Sequence, residues 1–342
     1  MIKLFSYCIF ILFVSCGTLK STQSKSKNDN AQLAEVDVGD FGGEKSANQS
    51  PVLSPPVETI RIGENGGNVY AQNEMQIAPN EDQVKRARIG LSFGPSLYRS
   101  LNYVSVLKSF EKNKIIPKAV TGTEFGAVVA AMYAMGMTPE VIEWNFYKYF
   151  KEKRNYRLYS NDWLEELDTL LLEKFKDKKI QETNKKFYIT LYNPHSKKTY
   201  FFDKGNIREL LNLNFRLSSS VKNISKSSYT TAMESEVFNA KLMKKVGTDF
   251  VIGVDGLSTK FDFEDSNEFL IGIYGKVSGQ IAKEKKSFDY FITLPLSSMS
   301  LDTTENVSQF MLNSEHFSET QIPLIKKNLL QKFSPSPDVL EN

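Results

Sequence analysis

The chain has 342 residues, and its 43 lysines and arginines against 40 aspartates and glutamates give a formal charge of +3. Hydrophobic residues make up 41% of the sequence and aromatic residues 12%, which suffices for a sizeable core and excludes wholesale disorder. Because basic and acidic residues are mixed along the whole chain, the charge gives no case for nucleic-acid binding. At about 150 residues per domain, the length predicts one large domain with appendages, or two domains.

The cysteines and histidines exclude several kinds of catalytic site. Both cysteines, Cys8 and Cys16, lie in the first sixteen residues, so the rest of the chain has no thiol for a disulfide, a nucleophile or a metal site. With two histidines, His195 and His316, we expect neither a histidine-rich metal centre nor a Ser-His-Asp triad. The sequence therefore predicts no metal and no cofactor.

The first fifteen residues predict a secretory signal. One lysine precedes an apolar run over residues 4–14, which is too short for a membrane-spanning helix of about 20 residues. The run ends in Phe13-Val14-Ser15-Cys16, which resembles a bacterial lipobox, and this implies cleavage before Cys16 and acylation of that cysteine. Ordinary secretion, or a short core segment with an incidental cysteine, is the alternative. We expect a lipoprotein signal peptide over residues 1–15.

Residues 16–85 predict a lipid-anchored, low-complexity tether. Small polar residues and lysine dominate residues 18–50, and Ser54-Pro55-Pro56 interrupts any regular element. Such a composition buries too little apolar surface to offset the entropy of ordering. About fifty flexible residues would hold the folded domain roughly 40 Å from the lipid. We expect that domain over residues 86–333 and a C-terminal tail over 334–342.

The predicted domain opens with alternating strands and helices. The elements are, in order, a strand at 87–93, a loop at 94–96, a helix at 97–113, a strand at 117–121, a tight turn at 122–126 and a small-residue helix at 127–135. This order is typical of an α/β fold.

Further along the chain, the pattern predicts more helices and a hairpin. Segment 146–157 interleaves aromatic residues with cations and predicts a helix with an aromatic core face and a charged outer face; contact with anionic lipid or nucleic acid is the alternative. An amphipathic helix is predicted at 167–179, a hairpin from 187–192 and 199–202, and a flap or disordered loop at 214–230.

Several segments resemble the patatin-like phospholipases. Gly90 to Leu107 aligns without a gap to the opening strand, loop and helix of that family, with Gly94 and Arg99 at the family's positions. Residues 122–126 fall where the family carries its Gly-x-Ser-x-Gly nucleophile elbow, and later segments follow in the family's order. The resemblance implies a three-layer α/β/α fold with a central, mostly parallel sheet, and a lipid acyl hydrolase built on a Ser–Asp dyad.

The residues that carry the family's chemistry differ here. Glu124 occupies the nucleophile position, and a carboxylate with an ordinary pKa of ~4.3 is a poor nucleophile toward esters. Thr231 occupies the position of the acidic partner, and Pro95-Ser96-Leu97 replaces the glycines whose N–H groups stabilise the oxyanion. Gly122 and Gly126, which the sharp turn requires, are both kept.

We therefore expect a catalytically inactive patatin-like lipoprotein that binds a protein or lipid partner at the bacterial envelope. Gly17 in the second mature position predicts the outer membrane, with the domain facing the periplasm. For Glu124 we expect an ion pair with Arg99; a general base or a ligand contact is the alternative. Asp255 is expected to cap the end of a strand. The alternative function is a lipid acyl hydrolase with a displaced nucleophile, for which the nearby hydroxyls are those of Ser92, Ser96, Ser100 and Thr123.

Overall fold

The computed structural model of the chain describes residues 86–152, 156–263 and 268–333. The predicted signal peptide, the tether with Cys16 and the C-terminal tail lie outside these residues. Within them, no helix combines the length and the apolar character that crossing a membrane requires.

A seven-stranded sheet lies at the centre of the described domain, in the order β4-β3-β2-β1-β6-β7, with β5 beside β3. The strands are β1 (Ile89–Phe93), β2 (Ala119–Gly122), β3 (Lys186–Asn193), β4 (Lys198–Phe202), β5 (Thr230–Thr231), β6 (Phe250–Asp255) and β7 (Tyr290–Thr293). The five neighbouring strands β3, β2, β1, β6 and β7 run parallel, while β4 and β5 pair antiparallel with β3. The expected mostly parallel sheet is confirmed.

Helices cover both faces of this sheet. They are α1 (Tyr103–Lys112), α2 (Phe125–Ala134), α3 (Pro139–Glu152), α4 (Asn161–Phe175), α5 (Ile207–Asn214), α6 (Ala240–Lys245), α7 (Glu268–Glu284) and α8 (Val307–Phe333). Leu91 and Ile252 belong to the main core with the buried side chains of α2, whereas the preceding residue of β6, Val251, packs with Met243 of α6 on the other face. Because successive strand residues point to opposite faces, this places the sheet between two helical layers and confirms the three-layer α/β/α fold.

Two predicted helices have different boundaries in the structure. The segment from Leu97 first forms a 3-10 helix to Asn102 and becomes α-helical only at Tyr103. The helix predicted at 167–179 begins instead at Asn161, because the hydroxyl of Ser160 accepts a hydrogen bond from the N–H of Trp163 at 3.2 Å. The apolar pattern alone does not reveal this N-cap.

Three loops meet at the carboxyl edge of the parallel strands. Phe93 of β1 lies opposite Gly122 of β2 on one side and Val254 of β6 on the other. The loops after these three strands therefore begin side by side. In open α/β sheets this edge is where functional groups gather, and it is where the predicted elbow lies.

Candidate functional site

The turn after β2 is a sharp strand-to-helix elbow with Glu124 at its apex. β2 ends at Gly122 and α2 begins at Phe125, so the chain changes direction within two residues. Glu124 has φ 57° and ψ −133°, in a region of backbone space that costs a residue with a side chain about 1–3 kcal/mol. The contacts around the elbow must supply the energy that holds this conformation.

Gly122 and Gly126 allow the elbow to close. A Cβ atom on Gly122 would lie 2.4 Å from the backbone of Gly126, and a Cβ on Gly126 would lie 2.6 Å from the carbonyl oxygen of Gly94. Neither approach is possible for a real side chain, because backbone atoms on both sides would have to move apart. The structure thus gives a packing reason for the two glycines at the positions predicted for them.

The carboxyl group of Glu124 is fully buried and is held from two directions. Its Oε2 accepts a hydrogen bond from the backbone N–H of Leu97 at 3.1 Å. Its Oε1 accepts hydrogen bonds from the hydroxyls of Tyr159 and Tyr274, whose oxygens lie 3.1 Å apart. The carboxyl group of Glu124 is therefore already the acceptor for the hydrogen-bond donors that surround the apex.

Burial raises the pKa of Glu124, because the ionised carboxylate is deprived of water. The hydroxyls of Tyr159 and Tyr274 and the N–H groups of Leu97 and Ser96 act in the opposite direction, since they stabilise the charge. Burial, reinforced by the neighbouring Glu124, raises the pKa of both tyrosines well above its ordinary value. Both phenols therefore remain protonated and continue to donate at neutral pH.

The predicted ion pair between Glu124 and Arg99 is wrong. Arg99 is fully buried, but its guanidinium donates to backbone carbonyls, from Nε to Met299 at 2.7 Å and from Nη1 to Leu257 at 2.6 Å. Burial lowers the pKa of Arg99 to about 10, while the negative charge of Asp255 opposes the shift. Arg99 therefore joins the loops after β6 and β7, and no cation within the described residues pairs with Glu124.

The backbone of the loop after β1 adopts a conformation that its sequence did not predict. Pro95 has no N–H group, but Leu97 adopts φ 45°, a left-handed conformation that favours glycine. Its N–H group consequently faces the elbow and donates to Glu124. The prediction that replacing the glycines removes the oxyanion-type donors is therefore wrong for Leu97. This donor is present, and the protein's own carboxyl group occupies it.

Aromatic side chains fix the same loop in place. The hydroxyl of Tyr103 donates to the carbonyl of Gly94 at 2.9 Å and lies 3.0 Å from the hydroxyl of Ser96. The ring of Phe238 packs so closely on Gly94 that a Cβ there would lie 2.6 Å from it. Each of these side chains is buried, so the loop is held rigidly against the elbow.

Thr231, predicted from the sequence to replace an acidic partner, and Asp255, at a strand end, both take part in local hydrogen bonds. Thr231 is buried in β5, and its hydroxyl accepts from the N–H of Met233 at 3.3 Å. Asp255 ends β6 and accepts from the N–H of Leu257 at 2.9 Å, so it caps the strand end as expected. Burial raises the pKa of Asp255 to about 6. In the part of the chain that the structure describes, neither side chain is bonded to Glu124.

The hydroxyl of Thr123, beside the apex of the elbow, contacts the segment that precedes α6. Thr123 Oγ1 donates to the carbonyl of Val237 at 2.8 Å. The N–H groups of Val237 and Phe238 donate in turn to the carboxyl group of Glu284, at 2.9 and 2.6 Å. Burial raises the pKa of Glu284 to about 7. Thr123 is therefore buried and tied to a carbonyl, which does not favour it as a displaced nucleophile.

The two tyrosines that hold Glu124 could not be identified from the sequence. Tyr159 lies in the turn just before the cap of α4, with φ 61°. Tyr274 lies on the buried face of α7, 150 residues from Glu124. Neither belongs to a motif of fixed spacing, so only the folded chain brings them to the elbow.

Within the described ranges, no group of three or more histidine, cysteine, aspartate or glutamate residues is placed to hold a metal ion. The predicted lipidation site, Cys16, lies outside these ranges.

Comparison with known proteins finds no matching family model and no matching curated protein. Among solved structures, the chain is similar to a chain of the complex between full-length SpcU and full-length ExoU from the type III secretion system of Pseudomonas aeruginosa, with a TM-score of 0.37 and 9% identity over 73% of this chain and 53% of that chain. It is also similar to VipD from Legionella pneumophila, with a TM-score of 0.42 and 10% identity over 72% of this chain and 67% of that chain.

The chain thus spans about half the length of the first of these structures. Likenesses of this degree say nothing of the chemistry at the elbow, which depends on the contacts of Glu124.

The raised pKa of Glu124 predicts a pH-dependent difference in stability between the wild type and Glu124→Gln. Because folding raises this pKa, the carboxyl group stabilises the fold fully below its ordinary pKa of about 4.3 and loses that contribution as the pH rises through the folded value. The free energy of unfolding of the wild type, relative to Glu124→Gln, should therefore fall as the pH rises above about 4.3, by about 1.4 kcal/mol for each pH unit by which folding raises the pKa.

Urea denaturation of both proteins at increasing pH measures the difference. Asp255 and Glu284, with pKa values raised to about 6 and about 7, titrate in both proteins and cancel. A difference that stays constant, or that grows with pH in favour of the wild type, contradicts the assignment.

Proposed function

We propose that this chain is a catalytically inactive, lipid-anchored relative of the patatin-like acyl hydrolases that acts as a binding module at the bacterial outer membrane. The observation that carries the proposal is the contact network of Glu124. At the apex where an acyl hydrolase has its nucleophile, this chain has a buried carboxyl group that accepts hydrogen bonds from Leu97, Tyr159 and Tyr274.

An ester would have to displace this network before it could reach the elbow. The carbonyl oxygen of a substrate requires free N–H donors at the position where negative charge develops, and the N–H of Leu97 is already bonded to Glu124. Each buried donor left without its partner costs about 1–3 kcal/mol. The buried ring of Tyr274 and the half-buried ring of Tyr159 also fill space beside the apex.

The dyad also lacks its second member. Thr231 is not an acid, and its hydroxyl is used in capping a turn. Asp255, at the end of β6, accepts a hydrogen bond from the N–H of Leu257 and caps the loop that follows. We infer that the fold was kept for the surface it presents, and that its ligand is a protein or a lipid of the envelope.

Hydrolase assays test the proposal that the protein lacks esterase activity. The wild type should show neither turnover of short-chain p-nitrophenyl esters nor labelling by a fluorophosphonate. Glu124→Ser should also stay inactive, because no acid is positioned to activate the introduced hydroxyl. Glu124→Gln serves as the matched control for the loss of the carboxyl group.

Two results would contradict the proposal. Restored esterase activity in Glu124→Ser would mean that an acid and free oxyanion donors are present after all. Labelling of the wild type that disappears in Thr123→Ala would instead establish a hydrolase with a displaced nucleophile.

Acylation at Cys16 is the proposed means of membrane attachment. Three acyl chains, at about 0.8 kcal/mol per buried methylene, would hold the protein on a bilayer essentially permanently. Cells grown with a palmitate analogue should label the wild type and leave Cys16→Ser unlabelled, and the labelled protein should fractionate with the outer membrane. Equal labelling of both proteins, or recovery of the wild type in the soluble fraction, argues against the anchor.

A further inference from the structure

A cavity of about 210 Å³ lies between α3 and α4. Each helix turns a mainly polar stripe toward it, and the side chains that carry charge or a buried hydroxyl are Lys148, Tyr149 and Glu152 from α3 and Glu166, Glu173 and Lys174 from α4. Helices that only pack together face each other with apolar stripes. The polar lining therefore indicates a site for a polar ligand.

The charges along the cavity are sorted by sign. Lys148 Nζ lies 3.7 Å from Glu173 Oε1, and Lys174 Nζ lies 2.7 Å from the same oxygen. Two cations thus share one carboxylate, which leaves this end of the cavity positive. Glu152 lies one turn beyond Lys148, about 6 Å along α3, and Glu166 lies two turns before Glu173, about 10 Å along α4.

Both of these carboxylates lie at the other end of the cavity. Tyr156, just beyond α3, lines an adjoining cavity with Asp162 and Glu165 from the first turns of α4. The end of α3 therefore lies beside the beginning of α4, and the two helices run in opposite directions. In the described ranges Glu152 forms no ion pair, so this end is negative.

The hydroxyl of Tyr149 has no hydrogen-bond partner among the described residues, although the side chain is only 8% exposed. A buried hydroxyl in this state costs the fold free energy that a bound ligand can return. Burial raises the pKa of Tyr149, and Tyr98 and the negative charge of Glu166 add to the shift. The phenol is therefore neutral at physiological pH and lies near a carboxylate, where its oxygen can accept a hydrogen bond from a cation.

We propose that this cavity binds a small linear zwitterion, with its ammonium group at Glu152, Glu166 and the Tyr149 hydroxyl and its carboxylate at Lys148 and Lys174. The spacing of the charged residues along the two helices fits a ligand whose charged groups are about 6–10 Å apart. The site shares no residue with the hydrogen bonds of the Glu124 carboxyl group. It is therefore independent of the inactive elbow and of acylation at Cys16.

Isothermal titration calorimetry on the purified full chain tests the site, with 6-aminohexanoate as the probe. Hexylamine keeps only the ammonium group and hexanoate only the carboxylate, so they are the matched ligands. Because each lacks one charged contact, both should bind roughly 10-fold or more weakly than 6-aminohexanoate. An absence of binding by 6-aminohexanoate would overturn the proposal, and so would equal affinities for the three ligands.

Removal of the buried hydroxyl separates ligand binding from a structural role. Tyr149→Phe should weaken the binding of 6-aminohexanoate roughly 10-fold, whereas Tyr147→Phe, on the exposed face of the same helix, should leave it unchanged. Because the Tyr149 hydroxyl has no described partner, its loss should not lower the midpoint of thermal unfolding. A lower midpoint, or equal affinities in the two variants, would contradict the role given to this hydroxyl and overturn the proposal.

Two charge variants test the orientation of the ligand. Lys148→Gln should weaken the binding of hexanoate and leave that of hexylamine unchanged, and Glu152→Gln should do the reverse. Loss of affinity for the same single-charge ligand in both variants would overturn the two-ended arrangement.

Discussion

A buried carboxyl group that pairs with no cation of the described domain is the constraint on which this site depends. Glu124 is completely removed from solvent at a strained apex, and a charge in such a place must be hydrogen-bonded or neutralised. Among the described residues, the fold meets this requirement with the backbone N–H groups of Leu97 and Ser96 and with the hydroxyls of Tyr159 and Tyr274. The loop after β1, the turn before α4 and the middle of α7 must therefore all converge on one side chain.

The convergence changes what an elbow of this kind does. A sharp strand-to-helix turn presents its apex residue to a substrate when the apex is solvent-accessible and the neighbouring donors are free. Here the same geometry presents the apex residue to the protein's own donors. The strained backbone of Glu124 and the left-handed backbone of Leu97 remain, and the interactions that they orient join parts of the chain together. The hydrogen bonds of the site thus hold separate segments of the chain together.

Local features of the site were predictable from the sequence, whereas its long-range contacts were not. Gly122 and Gly126 follow from the sharpness of a turn formed by five consecutive residues, and the strand-to-helix order follows from apolar patterning. The partners of Arg99 could not be predicted from the sequence, because its acceptors at Leu257 and Met299 lie about 160 and 200 residues away. Tyr159 and Tyr274 carry no local signal either, since they lie 35 and 150 residues from Glu124 and belong to no motif of fixed spacing.

The coupling between Glu124 and Tyr274 tests the role of the buried carboxyl group most directly. The free energies of unfolding of the wild type, Glu124→Ala, Tyr274→Phe and the double variant form a double-mutant cycle. We expect a coupling energy of at least about 1 kcal/mol, because the two side chains share a buried hydrogen bond. The control cycle, in which Tyr147→Phe on the exposed face of α3 replaces Tyr274→Phe, should stay within about 0.5 kcal/mol of zero. A coupling of Glu124 to Tyr274 no larger than this control would contradict the claim that the buried carboxyl group stabilises the fold through its hydrogen bond to Tyr274.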